Sequence, residues 1–142
     1  MKKDKTVMVF GTFDLVHKGH HNFFNQAKKL GDSLIISVAR DVNVKKIKGF
    51  KPWNSEEKRL AALKKLKIAG AVILGDTRGY IKHIKKVAPD IIALGYDQSA
   101  YTKTLRKDLE RAGLKTKVIR LKPHRPNIYK TSKLKMKMLK SK

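Results

Sequence analysis

Short apolar runs recur along this chain, separated by polar stretches with helical periodicity. Val7 to Phe10 is apolar and ends at Gly11, which predicts a buried strand. From Gly19 the period changes. Phe23, Phe24, Ala27 and Leu30 fall at helical spacing, and Gly31 sits where a helix C-terminus favours a left-handed residue. "SLIISVA" (33 to 39) predicts a second strand, and its near-continuous hydrophobicity implies burial on both faces, as in a parallel sheet. Residues 40 to 53, "RDVNVKKIKGFKPW", read as a lysine-rich loop broken by Gly49 and Pro52. Asn54 with Glu57 resembles a capping box, so a helix is expected there, with Leu60, Leu63 and Leu66 as its apolar stripe.

"AVILG" (71 to 75) predicts a third strand, followed by a helix from about Arg78 to Val87 that Pro89 stops. "DIIALG" (90 to 95) predicts a fourth strand, then a helix from about Thr102 to Arg111 closed by Gly113. "TKVIRL" (116 to 121) predicts a fifth. The tail carries Pro123 and Pro126, then a short basic helix from Thr131 with Leu134, Met138 and Leu139 on one side.

Strands alternating with helices across short loops imply a parallel sheet covered on both faces. The expectation is an α/β chain: a single Rossmann-like, doubly wound domain over residues 1 to 142 with a five-stranded parallel sheet and a basic tail from about 133. No repeat or linker divides it. In such sheets ligands bind beyond the carboxyl ends of the strands, near the switch in strand order. The wall of a site is therefore sought in residues 11 to 20, 40 to 53, 95 to 99 and 122 to 132.

Composition narrows the chemistry. The chain has 142 residues and no cysteine, so it has neither a disulfide framework nor a thiolate metal site. No apolar run approaches the roughly 20 residues that span a bilayer, and the apolar part of the N-terminal segment is too short for a signal peptide. A cytoplasmic protein is expected. The formal charge of +24 implies polyanionic partners without choosing among nucleotides, phosphorylated metabolites, nucleic acid and anionic membrane.

The corner after the first strand, "GTFDLVHKGHHNFF" (11 to 24), holds the unusual residues. Gly11 can let backbone approach a ligand or adopt a positive φ. The N–H groups opening the next helix lack intrahelical partners and carry the positive end of the dipole, which suits an anion. His17 and His20 lie three residues apart across the junction, with Gly19 between them, so both rings can face one side and donate to phosphate oxygens. For zinc, no cysteine and no second cluster completes four ligands. The dinucleotide G-x-G-x-x-G and the P-loop are absent.

The stretch "GTFDLVHKGHHNFFNQAKKLGD" resembles the signature of the HxGH nucleotidyltransferases, the cytidylyltransferase-like group, which includes glycerol-3-phosphate cytidylyltransferases and archaeal-type FAD synthases. The resemblance covers about residues 5 to 135. It implies that a substrate phosphate attacks the α-phosphorus of a nucleoside triphosphate and pyrophosphate leaves. It further implies that Thr12, Phe13, His17 and His20 occupy triphosphate-binding positions, with Asp14 and Gly19 also in the motif. "KIKGFKPWNSEEKR" resembles the family's basic loop and following helix, where Lys48 would reach the phosphates and Arg59 would match a helix arginine. "GYDQ" (95 to 98) resembles the strand-four motif of archaeal-type FAD synthases, where Asp97 would help hold the nucleotide. "RPNIYKTS" (125 to 132) has the spacing of the second signature: Arg125, Thr131 and Ser132 match, and Ile128 and Lys130 depart from it.

No nucleophile–base pair is present, which fits direct in-line transfer by positioning and charge stabilisation. In that scheme His17 and His20 stabilise the reacting phosphorus, and Lys48 and Arg125 neutralise pyrophosphate. A divalent ion, Mg2+, bridges triphosphate oxygens, with Asp14 and Asp41 as the protein contacts considered. ATP with FMN is the favoured pair, and Trp53, Tyr96, Tyr101 and Tyr129 are candidates for an aromatic flavin shelf. CTP with glycerol 3-phosphate is the alternative. A basic nucleic-acid-binding module on the same fold is the alternative of another class, although the chain has no RNA-binding signature and little aromatic interleaving with its lysines. The resemblance also implies a homodimer.

Overall fold

The computed structural model describes residues 5–14, 18–76, 80–95, 98 and 104–122. The elements run β1 (Thr6–Gly11), α1 (Lys18–Lys28), β2 (Ser33–Val38), α2 (Asp41–Lys48), α3 (Glu56–Lys65), β3 (Ala71–Leu74), α4 (Tyr80–Val87), β4 (Ile91–Leu94), α5 (Leu105–Arg111) and β5 (Lys117–Arg120). The five strands form one sheet in the order β3-β2-β1-β4-β5, with every neighbouring pair parallel. The doubly wound parallel architecture expected from the alternating pattern is the one observed.

Period-two alternation divides β1 between two cores. Val7 and Val9 pack with Phe24 and Ala27 of α1 and Leu63 of α3. Met8 packs on the opposite face with Ile84 of α4, Ile92 and Leu94 of β4, and Leu105 and Leu109 of α5. β1 is thus buried on both faces, as its unbroken hydrophobicity requires. Its pairing with β4 is pinned at the start of both strands: Thr6 N donates to Asp90 Oδ2 (2.8 Å) and Asp90 N to Thr6 O (3.0 Å). The order reverses at β1, so the crevice between the carboxyl ends of β1 and β4 lies beside the N-terminus of α1.

Four details differ from the expectations. The lysine-rich stretch after β2 is not all loop, because residues 41 to 48 form α2. Its β-branched Val42, Val44 and Ile47 lower helix propensity, and Arg40 at its N-cap supplies no side-chain hydrogen bond. What closes it is Gly49, at φ 80, whose N–H reaches Lys45 O. Gly31 is not left-handed; a Cβ there would lie 2.7 Å from Lys5 O and 2.8 Å from Val7 Cγ2, so close approach explains it. Ser55, not Asn54, caps α3, accepting from Lys58 N at 3.3 Å. Of the expected stripe, Leu63 is buried while Leu66, at the C-cap of α3, is exposed, and the other buried residue of the helix is Arg59. The basic tail helix lies outside the described residues.

Candidate active site

At the corner after β1 the chain is strained and closely packed. Phe13 has φ 52, a left-handed conformation uncommon for a bulky residue, and its side chain is buried. The twist turns its ring back over Gly11, where a Cβ would meet ring atoms at 2.6 to 2.9 Å. Gly11 is needed as glycine for that reason, and the positive φ falls on Phe13 instead. The Phe13 ring meets His20 edge-on at 5.5 Å and Phe24 at 5.2 Å. His20, in the first turn of α1, is half-buried, with its imidazole seated on an aromatic base. Strain of this kind, of order 1–3 kcal/mol, persists where surrounding packing enforces it.

A second layer fixes the corner from behind. Asp14 is buried, and its carboxylate accepts from Trp53 N (2.7 Å) and Asn54 N (2.8 Å), while Asn54 Nδ2 donates to Asp14 O (2.9 Å). Arg59 sends Nε to Asn54 O (3.1 Å), Nη1 to Thr12 O (2.8 Å) and Nη2 to Asp41 Oδ1 (2.6 Å). Its planar fork thus joins the corner, the loop before α3 and the start of α2. The N-termini of α2 and α3 cap each other: Asp41 N donates to Glu56 Oε1 (3.0 Å) and Glu56 N to Asp41 Oδ2 (3.2 Å), with Arg40 bridging to Glu56 at 2.8 Å. Each carboxylate lies where a helix dipole favours it.

The other walls come from β4 and β5. Gln98 Nε2 donates to Phe10 O (3.1 Å), and Arg120 Nη1 donates to Gly95 O (2.7 Å) and Gln98 O (3.0 Å), tying the loop after β4 to β1 and β5. Gln26 of α1 exchanges two hydrogen bonds with the backbone of Lys122, 2.9 and 3.1 Å. That contact places the start of the segment after β5 against α1. Lys48 is exposed at the last position of α2, on the loop side of β2.

Gly11, Thr12, Phe13, Asp14, Gly19 and His20 therefore share one corner, and Lys48 stands on a separate element that follows β2. His17, Asp97, Arg125, Thr131 and Ser132 lie outside the described residues. Arg59, expected only as a match to a helix arginine, and Gln98 and Arg120, not singled out as site residues, form the framework of the corner: a lone polar or charged residue reads as solvated, and only the fold reveals its partners. As for Mg2+, Asp14 and Asp41 already use their oxygens on backbone N–H groups and Arg59. Among the described residues no group of three or more His, Asp or Glu could hold a metal. The described side chains do not build a cage for the ion.

Outside the corner, His83 of α4 is buried, with Nε2 2.8 Å from Ser37 Oγ and its ring edge-on to Phe10. Burial lowers its pKa below the ordinary 6.5; Asp76 opposes that shift, and Lys86 and Arg40 add to it.

Comparison with known proteins bears on this arrangement. The family model described as cytidylyltransferase-like matches residues 8–137. A protein from Thermococcus sibiricus named FAD synthase is 38% identical over 140 residues, covering 97% of this chain and 95% of that one. Another of the same name from Archaeoglobus profundus is 47% identical over 116 residues, covering 82% and 74%. The crystal structure of a lipopolysaccharide core biosynthesis protein from Thermoplasma volcanium superposes with TM-score 0.80 at 36% identity, covering 86% of this chain and 99% of that one. At 14% identity, a pantoate-beta-alanine ligase from Francisella tularensis shares the fold, with TM-score 0.66 over 96% of this chain and 66% of that one. With a glycine corner, a histidine on the first helix turn and a sheet wound around them, the chain belongs to the cytidylyltransferase-like family and is a nucleotidyltransferase.

Proposed function

We propose that this enzyme is an FAD synthase that transfers the adenylyl group of ATP to FMN. A phosphate oxygen of FMN attacks the α-phosphorus of ATP, the bond from that phosphorus to the β-phosphate bridging oxygen breaks, and FAD and pyrophosphate result. The observation that carries the reading is the likeness to proteins named FAD synthase over nearly the whole chain.

The roles proposed for the side chains are those that the family resemblance implies, read through their charge. His17 and His20 donate to the phosphates as negative charge grows in the transition state. The opening N–H groups of α1 add fixed donors. Lys48 and Arg125 draw off the charge of the departing pyrophosphate, and Asp97, Thr131 and Ser132 hold the nucleotide. Mg2+, brought in with the nucleotide, would supply positive charge against the triphosphate. Both substrates are polyanions that do not cross bilayers unaided, which suits a cytoplasmic enzyme. Among the described residues no helix is long and apolar enough to span a membrane.

The test pairs ATP or CTP with FMN or glycerol 3-phosphate and follows pyrophosphate release and product. FAD from ATP and FMN alone is the expected result. Turnover confined to CTP with glycerol 3-phosphate would make this a cytidylyltransferase instead.

A further inference from the structure

We propose that Trp53 is the shelf on which the flavin ring of the acceptor lies, and that this residue selects a flavin over smaller phosphorylated acceptors. The inference rests on the FAD synthase reading above and deepens it.

Trp53 is the sole tryptophan in the chain, and it is 47% exposed. Phe50, three residues earlier, is 55% exposed. Of the five large apolar residues exposed in the described structure, four (Val42, Ile47, Phe50 and Trp53) lie on α2 and the loop that follows it. The exposed apolar surface is thus concentrated on one segment, and that segment follows β2 at the loop edge of the sheet.

The backbone that bears the indole is held on a rigid mount. Trp53 N–H is held by Asp14, two residues beyond Thr12, and the adjoining Asn54 is held by both Asp14 and Arg59. Arg59 also grips the Thr12 carbonyl. The backbone bearing the tryptophan and the backbone of the phosphate corner are therefore one hydrogen-bonded unit. Fixing that backbone ahead of binding reduces the ordering that a stacked ring would otherwise cost.

The charge around this segment matches the same ligand. Lys45, Lys46, Lys48 and Lys51 are exposed on α2 and its loop. FMN combines a wide aromatic face with a phosphate, so one end suits the apolar residues and the other the lysines. Glycerol 3-phosphate has no face to cover an indole.

The experiment measures FMN affinity by the quenching of its own fluorescence, with steady-state KM values for FMN and ATP, in the wild type, Trp53→Ala and Trp53→Phe. Both variants keep the backbone N–H that Asp14 holds, and thermal melts check the fold. Trp53→Ala is expected to weaken FMN about tenfold, the loss typical of removing one aromatic stacking partner. KM for ATP should stay within about twofold on the same stacking argument, because no adenine contact is removed, and Trp53→Phe should recover most of the affinity. Titrating FMN into the wild type should also quench the single-tryptophan emission. FAD formation with unchanged FMN affinity in both variants overturns the shelf alone. A wild-type protein that makes no FAD from ATP and FMN overturns the function proposed above, whatever Trp53 does.

Discussion

Nη2 of Arg59 lies 2.6 Å from Oδ1 of Asp41, with the arginine side chain wholly buried and the aspartate side chain 36% exposed. A buried guanidinium is tolerable only when its donors are used, and here they reach three separate segments. Arg59→Met removes the donors and leaves Asp41 and two carbonyls short of partners. It is expected to cost about 3–5 kcal/mol, read from urea unfolding. Arg59→Lys keeps the charge but cannot span three directions, so it should recover only part of that loss. A loss within the scatter of ordinary surface substitutions in Arg59→Met would show that the fork does not hold the corner.

His20 sits edge-on to Phe13, so a phenylalanine at position 20 can keep the packing while losing both ring nitrogens. His20→Phe should melt close to the wild type and lose turnover about a hundredfold to a thousandfold, the range for one well-aimed donor. Near-normal pyrophosphate release from this variant would remove His20 from the reaction.

Gly11 and Phe13 should behave as a coupled pair, since the ring fills the space of a Cβ at position 11. Gly11→Ala is expected to cost about 1–3 kcal/mol through overpacking, and Phe13→Ala about 3–5 kcal/mol. In the double variant the clash disappears, so its loss should fall short of the sum. Strict additivity in denaturant unfolding would contradict the contact.

His83 gives a pH dependence with a definite sign. Its folded pKa is lowered by burial, so below about pH 6.5 the unfolded chain binds more protons than the native one. Stability should therefore fall as pH drops below that value, by at most about 1.4 kcal/mol per pH unit, until the folded form also protonates. His83→Gln should flatten this component. Unfolding free energies at pH 7, 6 and 5 for both proteins give the difference, and identical slopes would assign the acid sensitivity elsewhere.

Asp14 can be separated from magnesium. Its carboxylate holds the Trp53 and Asn54 amides, so Asp14→Asn sets an amide N–H against at least one donor. A stability loss of about 1–3 kcal/mol is expected, with the Mg2+ concentration for half-maximal activity unchanged. A large rise in that concentration would make Asp14 a metal contact.

The sheet and its helices were readable because β1, β2 and β4 are too apolar to be anything but doubly buried strands, and because glycines and prolines punctuate the gaps. α2 escaped notice because its three β-branched residues and its many lysines weaken both signals that mark a helix, leaving only Gly49 as a stop. At the site, the corner residues were legible as a local motif. Their supports were not: Asp14 meets Asn54 across 40 residues, Arg59 meets Thr12 across 47, and Gln98 meets Phe10 across 88. Spacing along the chain encodes which side chains share a turn, but not which distant loop comes to rest on it.

The position of β1 also dictates when this enzyme becomes whole during synthesis. Its neighbour β4 begins beside Asp90, 84 residues after Thr6. A nascent polypeptide that has emerged only through β3 exposes one edge of β1 as an open template for another chain. Catalytic competence must then wait for the second half of translation, and the ribosome-bound interval is when this protein is most exposed to misassembly.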